Sequence, residues 1–245
     1  MKILKKLLKI REEKGAGYFV LIDPDSFSIK DAEKKISQIC KNGVDAILIG
    51  GSLIMTDGYS EKIKLIKKHS TVPIILFPGS SSQIRKDFDA VLFLSMVSSR
   101  NPDMLIGTQV MSAPILKEMN VETISTAYML IESGKMTTAE FMSNSKPIPS
   151  DKPDIAVAHA IASEMLGFKM IYLEAGSGAK NTVPNKLISA VKKSVNIPVI
   201  VGGGIRKPEV AKEKVKAGAD FIVTGNILEK KGNSHLMKKF AKAIH

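Results

Sequence analysis

Short runs of β-branched and aliphatic residues alternate along the chain with longer stretches of helical periodicity. The apolar runs predict strands at Tyr18–Ile22, Ala46–Ile49, Ile74–Phe77, Ala90–Leu94, Thr123–Tyr128, Met170–Leu173, Val199–Val201 and Phe221–Val223. Their near-continuous apolar character suits strands buried on both faces of a parallel sheet. Helical patterns fill most of the gaps, including Ile29 to Cys40, Asp103 to Glu118 and Asp154 to Leu166. Strand after strand separated by helix is the signature of βα units. Eight such units in 245 residues predict an α/β fold, a single (β/α)8 barrel over residues 1–245.

The pattern is not uniform. Only a brief polar stretch separates Pro78-Gly79-Ser80-Ser81-Ser82 from Ala90, so a full helix barely fits and the third βα unit is expected to be modified, opening one side of the barrel. Pro114 is expected to interrupt the helix Asp103–Glu118. After Tyr128 a long insertion precedes the next strand. It holds a capping-box start at Thr137-Thr-Ala-Glu140 and a loop through Ser143–Pro153, and such an insertion falls at the catalytic face of a barrel, where lids form. Weak internal repetition is present: Gly43-Val-Asp-Ala-Ile resembles Gly218-Ala-Asp-Phe-Ile, and Thr71-Val-Pro-Ile-Ile resembles Asn196-Ile-Pro-Val-Ile.

Composition narrows the classes. The formal net charge is +12, from 36 Lys and Arg against 24 Asp and Glu, and such a field attracts anions: phosphates, diphosphates, nucleic acid or an anionic membrane surface. Much of it is lysine scattered on helix faces, as at Lys62, Lys64, Lys67 and Lys68, which reads as a solvated face. Aromatic residues make up only 5%, too few for a basic patch with interleaved stacking platforms, so no nucleic-acid partner is expected. Cys40 is the only cysteine, which excludes an internal disulfide framework and a zinc cluster. No secretory leader and no membrane-spanning run is recognisable, and the expected location is the cytoplasm, with transient contact at a membrane surface.

The strand C-termini of a barrel converge on one mouth. Here they supply Asp23 and Asp25, Gly51 and Ser52, Pro78 and Gly79, Tyr128, Tyr172 and Glu174, Gly203 and Gly204, then Gly225 and Asn226. Glycine-terminated strands before helices, at Gly202-Gly-Gly-Ile-Arg206 and Gly225-Asn226, suit a phosphate held by backbone N–H groups after strands seven and eight. Asp23, with Ser52 beside it, is a candidate ligand for a divalent cation, and a capping role for Asp23 before Pro24 is the alternative. Tyr172 and Glu174 lie two apart on one strand, so both side chains face the same way. The carboxylate could orient or deprotonate a hydroxyl, or simply pair with a rim lysine. None of the four histidines lies at a strand end: His159 is on a helix, and His69, His235 and His245 read as surface positions.

At these residues the chain resembles the geranylgeranylglyceryl phosphate synthase family, which includes bacterial heptaprenylglyceryl phosphate synthases. The resemblance rests on Leu21-Ile-Asp-Pro-Asp25, Gly50-Gly-Ser52, Phe77-Pro-Gly79, Tyr172-Leu-Glu-Ala-Gly-Ser-Gly178, Gly202-Gly-Gly-Ile-Arg206 and Gly225-Asn226. It implies a TIM barrel that joins sn-glycerol 1-phosphate to a polyprenyl diphosphate through an ether at the glycerol 3-hydroxyl, releases diphosphate, requires Mg²⁺ and forms a homo-oligomer. Carried over, Asp23 and Ser52 ligate the metal. Tyr172, Leu173, Glu174, Ala175, Gly176, Ser177, Gly178, Gly203, Gly204, Gly225 and Asn226 hold glycerol phosphate, with Tyr172 and Glu174 catalytic. Some members carry a basic residue after Asp-Pro-Asp, where this chain has Ser26, so Arg100 is a candidate for the diphosphate instead. Phe88, Phe93, Met96, Met129 and Met142 are candidates to line a prenyl groove beside the shortened third unit. The alternative donors are heptaprenyl or other chain lengths, and a sugar-phosphate isomerase or synthase barrel is the competing enzyme class.

Overall fold

Each of the eight apolar runs forms a strand, because residues apolar on both faces are stable only between a packed interior and a covering layer of helices. The computed structural model describes residues 2–55, 57–225 and 234–245. The strands are β1 (Gly17–Ile22), β2 (Ala46–Ile49), β3 (Ile74–Leu76), β4 (Ala90–Ser95), β5 (Glu122–Leu130), β6 (Met170–Glu174), β7 (Val199–Gly202) and β8 (Phe221–Thr224). They close in sequence order into one all-parallel barrel, with β8 pairing to β1 through Gly17–Phe221 to Val20–Thr224. The helices are α1 (Lys2–Lys14), α2 (Ala32–Lys41), α3 (Tyr59–His69), α4 (Thr108–Met119), α5 (Thr138–Ser143), α6 (Pro153–Met165), α7 (Asn185–Ser194), α8 (Pro208–Lys216) and α9 (Ser234–Ile244). Among the described residues, no helix is long and apolar enough to cross a membrane.

Alternation along the strands sorts side chains into two packed layers. Phe19, Leu48, Leu92, Tyr172, Ile200 and Phe221 point into the barrel, while Val20, Ile49, Val91, Leu173, Val201 and Ile222 face the helices. Leu4 and Leu7 of α1 join the inner cluster, so this amphipathic helix lies across the N-terminal ends of the strands and seals them. Fully burying Leu7 contributes about 2 kcal/mol. Glu122, at the start of β5, caps α1 by accepting the N–H groups of Ile3 and Leu4 at 2.8 and 3.0 Å. Burial raises its carboxyl pKa, but these backbone donors outweigh that and hold it below the ordinary value.

The sequence repeat has a physical basis at this closed end. Asp45 and Asp220, the acids of the two Gly-x-Asp segments, accept the N–H of the first turn of a neighbouring strand, from Tyr18 and Val199 at 2.8 and 2.7 Å. Asp89 does the same for Ile74 at 2.9 Å. A lysine from a nearby helix neutralises each: Lys14 for Asp45, Lys192 for Asp220 and Lys67 for Asp89. His245, exposed as expected, sets its ring nitrogen 2.8 Å from Asp45.

Three expectations change. A 3-10 turn over Ile29–Asp31 precedes α2, so the predicted Ile29–Cys40 helix begins later. Pro114 does not interrupt α4; both it and Val110, four residues earlier, lie on the exposed side of the helix. Lys62 is not on a solvated face but buried, its ammonium donating to the Pro24 carbonyl at 2.6 Å. The third unit is modified as expected: no α-helix follows β3, only a 3-10 turn at Ser81–Gln83. Thr137 caps α5, accepting the Glu140 N–H at 3.3 Å.

Candidate functional site

The C-terminal ends of the strands surround a cavity of about 720 Å³. Its polar end is built on β6, β7 and β8. Glu174 ends β6 facing inward and is buried, and its Oε1 accepts the Gly176 N–H at 2.6 Å, which folds the following glycine turn over the carboxylate. Burial pushes the Glu174 pKa up to about 7, although the Gly176 N–H and the Tyr172 hydroxyl pull it back. A carboxyl poised there exchanges a proton at neutral pH, as a general base must. Tyr172 Oη is buried against the Glu174 carboxylate, and among the described residues no other side chain or backbone group bonds it. Burial, then the charge of Glu174, keeps this phenol protonated as a donor.

Gly203 shows why this loop needs glycine. It has φ +87°, and a β-carbon there would stand 2.5 Å from Glu174 Oε1 and 2.7 Å from the Gly176 nitrogen. The β7 turn thus presses directly on the β6 turn. Arg206 secures the contact, donating to the Ala179 carbonyl at 2.6 Å and the Gly204 carbonyl at 3.4 Å, and it lines the cavity. Gly176, Ser177, Gly178, Gly204 and Gly225 border the same pocket. Together they form a concave, glycine-rich rim beside a guanidinium, suited to a phosphate.

The sequence-predicted set divides at this point. Tyr172, Glu174, Gly176, Ser177, Gly178, Gly203, Gly204 and Gly225 come together, whereas Leu173 and Ala175 face the helix layer, as strand alternation dictates. Asn226 lies outside the described residues. Arg206, to which sequence reasoning assigns no role, joins the rim; an arginine one turn into a loop after a glycine-ended strand was the available signal.

Asp23, Gly51 and Ser52 line the cavity next to this rim. Asp23 Oδ1 accepts the Asp25 N–H at 2.9 Å and lies 3.6 Å from where a β-carbon of Gly51 would sit, so the carboxylate faces the Gly51-Ser52 turn. Among the described residues no three His, Cys, Asp or Glu side chains cluster closely enough to hold a metal by themselves. One carboxylate and one hydroxyl fit a Mg²⁺ that completes its shell with water and substrate phosphate oxygens, the common mode for that ion.

Beyond Asp23 the cavity becomes apolar and passes through the gap left by the missing third helix, along Ile84, Val91, Phe93, Leu94, Met96 and Met142. Phe93, Met96 and Met142 were expected there. Phe88 and Met129 belong to the outer core instead; Met129 follows an inward-facing Tyr128 and so must point outward. Phe77, Tyr128 and Tyr172 form the floor where polar and apolar parts meet, Phe77 stacking on Tyr172 at 5.1 Å. Arg100 does not line this cavity: its guanidinium donates to the Ser99 carbonyl at 2.9 Å and approaches His159 at 3.4 Å, beside a separate depression shared with Lys146.

Comparison with known proteins agrees with this geometry. Residues 8–244 match the model of the PcrB family. A geranylgeranylglyceryl phosphate synthase of Chitinophaga pinensis is 46% identical over 236 residues, covering 96% of this chain and 93% of that protein. Its namesake in Pyrococcus furiosus is 44% identical over 243 residues, covering 98% and 96%. Among solved structures, (S)-3-O-geranylgeranylglyceryl phosphate synthase from Thermoplasma acidophilum, in complex with its substrate sn-glycerol-1-phosphate, superposes with a TM-score of 0.93 at 35% identity, covering 100% of this chain and 98% of that one.

Proposed function

The chain belongs to the PcrB family, and from that premise we propose that it is a prenyltransferase joining the 3-hydroxyl of sn-glycerol 1-phosphate to a polyprenyl diphosphate, with geranylgeranyl as the donor. The single observation that carries the reading is the cavity's two-part character: a glycine-rich anion rim around a buried carboxylate, continuous with an apolar arm through the open third unit. A sugar-phosphate isomerase would use the rim but has no need of the arm.

In this reading the glycerol phosphate group sits on the rim formed by the β6, β7 and β8 turns, near Arg206. The Tyr172 hydroxyl donates to a glycerol oxygen. Glu174 accepts the proton of the 3-hydroxyl as that oxygen bonds to C1 of the prenyl group, and the bond from C1 to the diphosphate oxygen breaks with its electron pair leaving on diphosphate. Holding the two reactants in contact converts a bimolecular encounter into a unimolecular step. Asp23 and Ser52 would hold Mg²⁺, which supplies charge neutralisation for the leaving diphosphate. The prenyl chain lies along Phe93, Met96 and Met142. A cytoplasmic enzyme at the membrane surface, taking its donor from the bilayer, belongs to the same reading.

Incubation with geranylgeranyl diphosphate, sn-glycerol 1-phosphate and Mg²⁺, followed by mass spectrometry of the organic extract, tests it. The expected product is the prenylglyceryl phosphate, with one diphosphate released per ether formed and none from sn-glycerol 3-phosphate. Heptaprenyl diphosphate in parallel assigns the donor length. Absence of any ether product from folded protein would overturn the proposal.

A further inference from the structure

The loops that present the diphosphate end are tied together by Tyr59 and Lys62, which do not line the cavity, and by Gln83, which borders it. Tyr59 and Lys62, three apart on the first turn of α3, share one helix face and are both buried. Lys62 reaches toward the first loop and donates to the Pro24 carbonyl, between Asp23 and Asp25. Tyr59 reaches the other way, its hydroxyl donating to the Gln83 carbonyl at 2.9 Å. Asp25 in turn accepts the Met55 N–H at 2.9 Å, linking the first loop to the second.

Gln83 is the centre of this arrangement. It is 4% exposed, and both ends of its amide are engaged: Nε2 donates to the Gly51 carbonyl at 2.9 Å, and Oε1 accepts the Gly79 N–H at 3.1 Å. The second and third loops touch at that point, since a β-carbon on Gly79 would stand 2.2 Å from the Gly51 oxygen. Gly51 precedes Ser52 and faces Asp23. In a regular barrel the third helix would buttress these turns; here one glutamine on a 3-10 turn does so.

We propose that Gln83, supported by Tyr59, is a positioning residue for the diphosphate end of the site, fixing the turn that carries Ser52 against Asp23. The inference rests on the prenyltransferase reading. An amide that merely held the fold together would affect both parts of the cavity alike, whereas this one bonds the Gly51 and Gly79 turns and none of the glycerol phosphate rim.

Gln83→Met keeps the side-chain volume and removes both hydrogen bonds. Calorimetric titration with Mg²⁺ and inorganic diphosphate reads one end of the site, and titration with sn-glycerol 1-phosphate reads the other. The expected result is a loss of roughly tenfold in diphosphate affinity, the effect of one to two lost buried hydrogen bonds, with glycerol phosphate affinity changed less than about twofold. The KM for prenyl diphosphate should rise by a similar factor. Tyr59→Phe, which leaves the Gln83 amide in place, should show the same pattern at roughly threefold, and it carries the test if Gln83→Met does not fold. Equal loss at both ends, or loss at neither, overturns the inference. Wild-type protein that binds neither ligand and forms no ether would instead defeat the prenyltransferase reading.

Discussion

Glu174→Gln should make the protein more stable at alkaline pH while destroying its activity. In the folded chain burial raises this carboxyl from its ordinary 4.5 to about 7. A tenfold change in proton affinity corresponds to about 1.4 kcal/mol, so the ionised form weakens the fold by about 3 kcal/mol once the pH exceeds the folded value. The folded pKa lies above the unfolded one. The protonated group is therefore tolerated in full below about pH 4.5, and stability falls as pH rises toward 7. Glutamine keeps an oxygen for the Gly176 N–H and carries no charge. Measured without substrates at about pH 8.5, the variant should melt roughly 6–12 °C above wild type, given about 2–4 °C per kcal/mol at this size. At about pH 5 the gain should shrink below about 1 kcal/mol. Turnover should fall by roughly 10²–10⁴, and wild-type kcat/KM should rise with pH to a plateau with its midpoint near 7. A melting difference independent of pH, or a variant less stable at alkaline pH, would refute the account of Glu174 as a carboxyl strained by burial.

Gly203→Ala should lower sn-glycerol 1-phosphate affinity by more than about tenfold in calorimetry, since the new methyl collides with Glu174 and the Gly176 nitrogen. Asp23→Asn should raise the Mg²⁺ concentration needed for half-maximal turnover by at least about tenfold while leaving glycerol phosphate binding intact. Asp220→Ala strips partners from the Val199 N–H and Lys192 at the closed end, and should cost about 3 kcal/mol in denaturant unfolding with kcat unchanged in the folded fraction.

The barrel was legible because its strands are sealed on both faces and punctuated by glycine or proline, a pattern that local sequence carries in full. Tyr172 and Glu174 could be paired from alternation alone, and the same alternation, applied to Met129, Leu173 and Ala175, would have turned them outward. Other features depend on distances that sequence does not encode. Lys62 sits among exposed lysines and differs from them only because α3 aims it at the Pro24 carbonyl. Gln83 lies in a short polar stretch that reads as loop; its two bonds exist because the second and third loops converge there. Arg100 is charged and near a strand end, but its side chain contacts Ser99 and His159 and borders a different depression. The continuity of the helix through Pro114 reflects its exposed placement, which a propensity argument cannot see.

The central claim is that the glycerol 3-hydroxyl, held over the glycine rim and relieved of its proton at Glu174, displaces diphosphate from C1 of the prenyl chain. Heavy oxygen placed in the 3-hydroxyl of sn-glycerol 1-phosphate tests this most directly. The account predicts that mass spectrometry finds all of the label in the ether of the product and none in the released diphosphate. Label in the diphosphate, label lost to water, or no ether from the folded enzyme would contradict it.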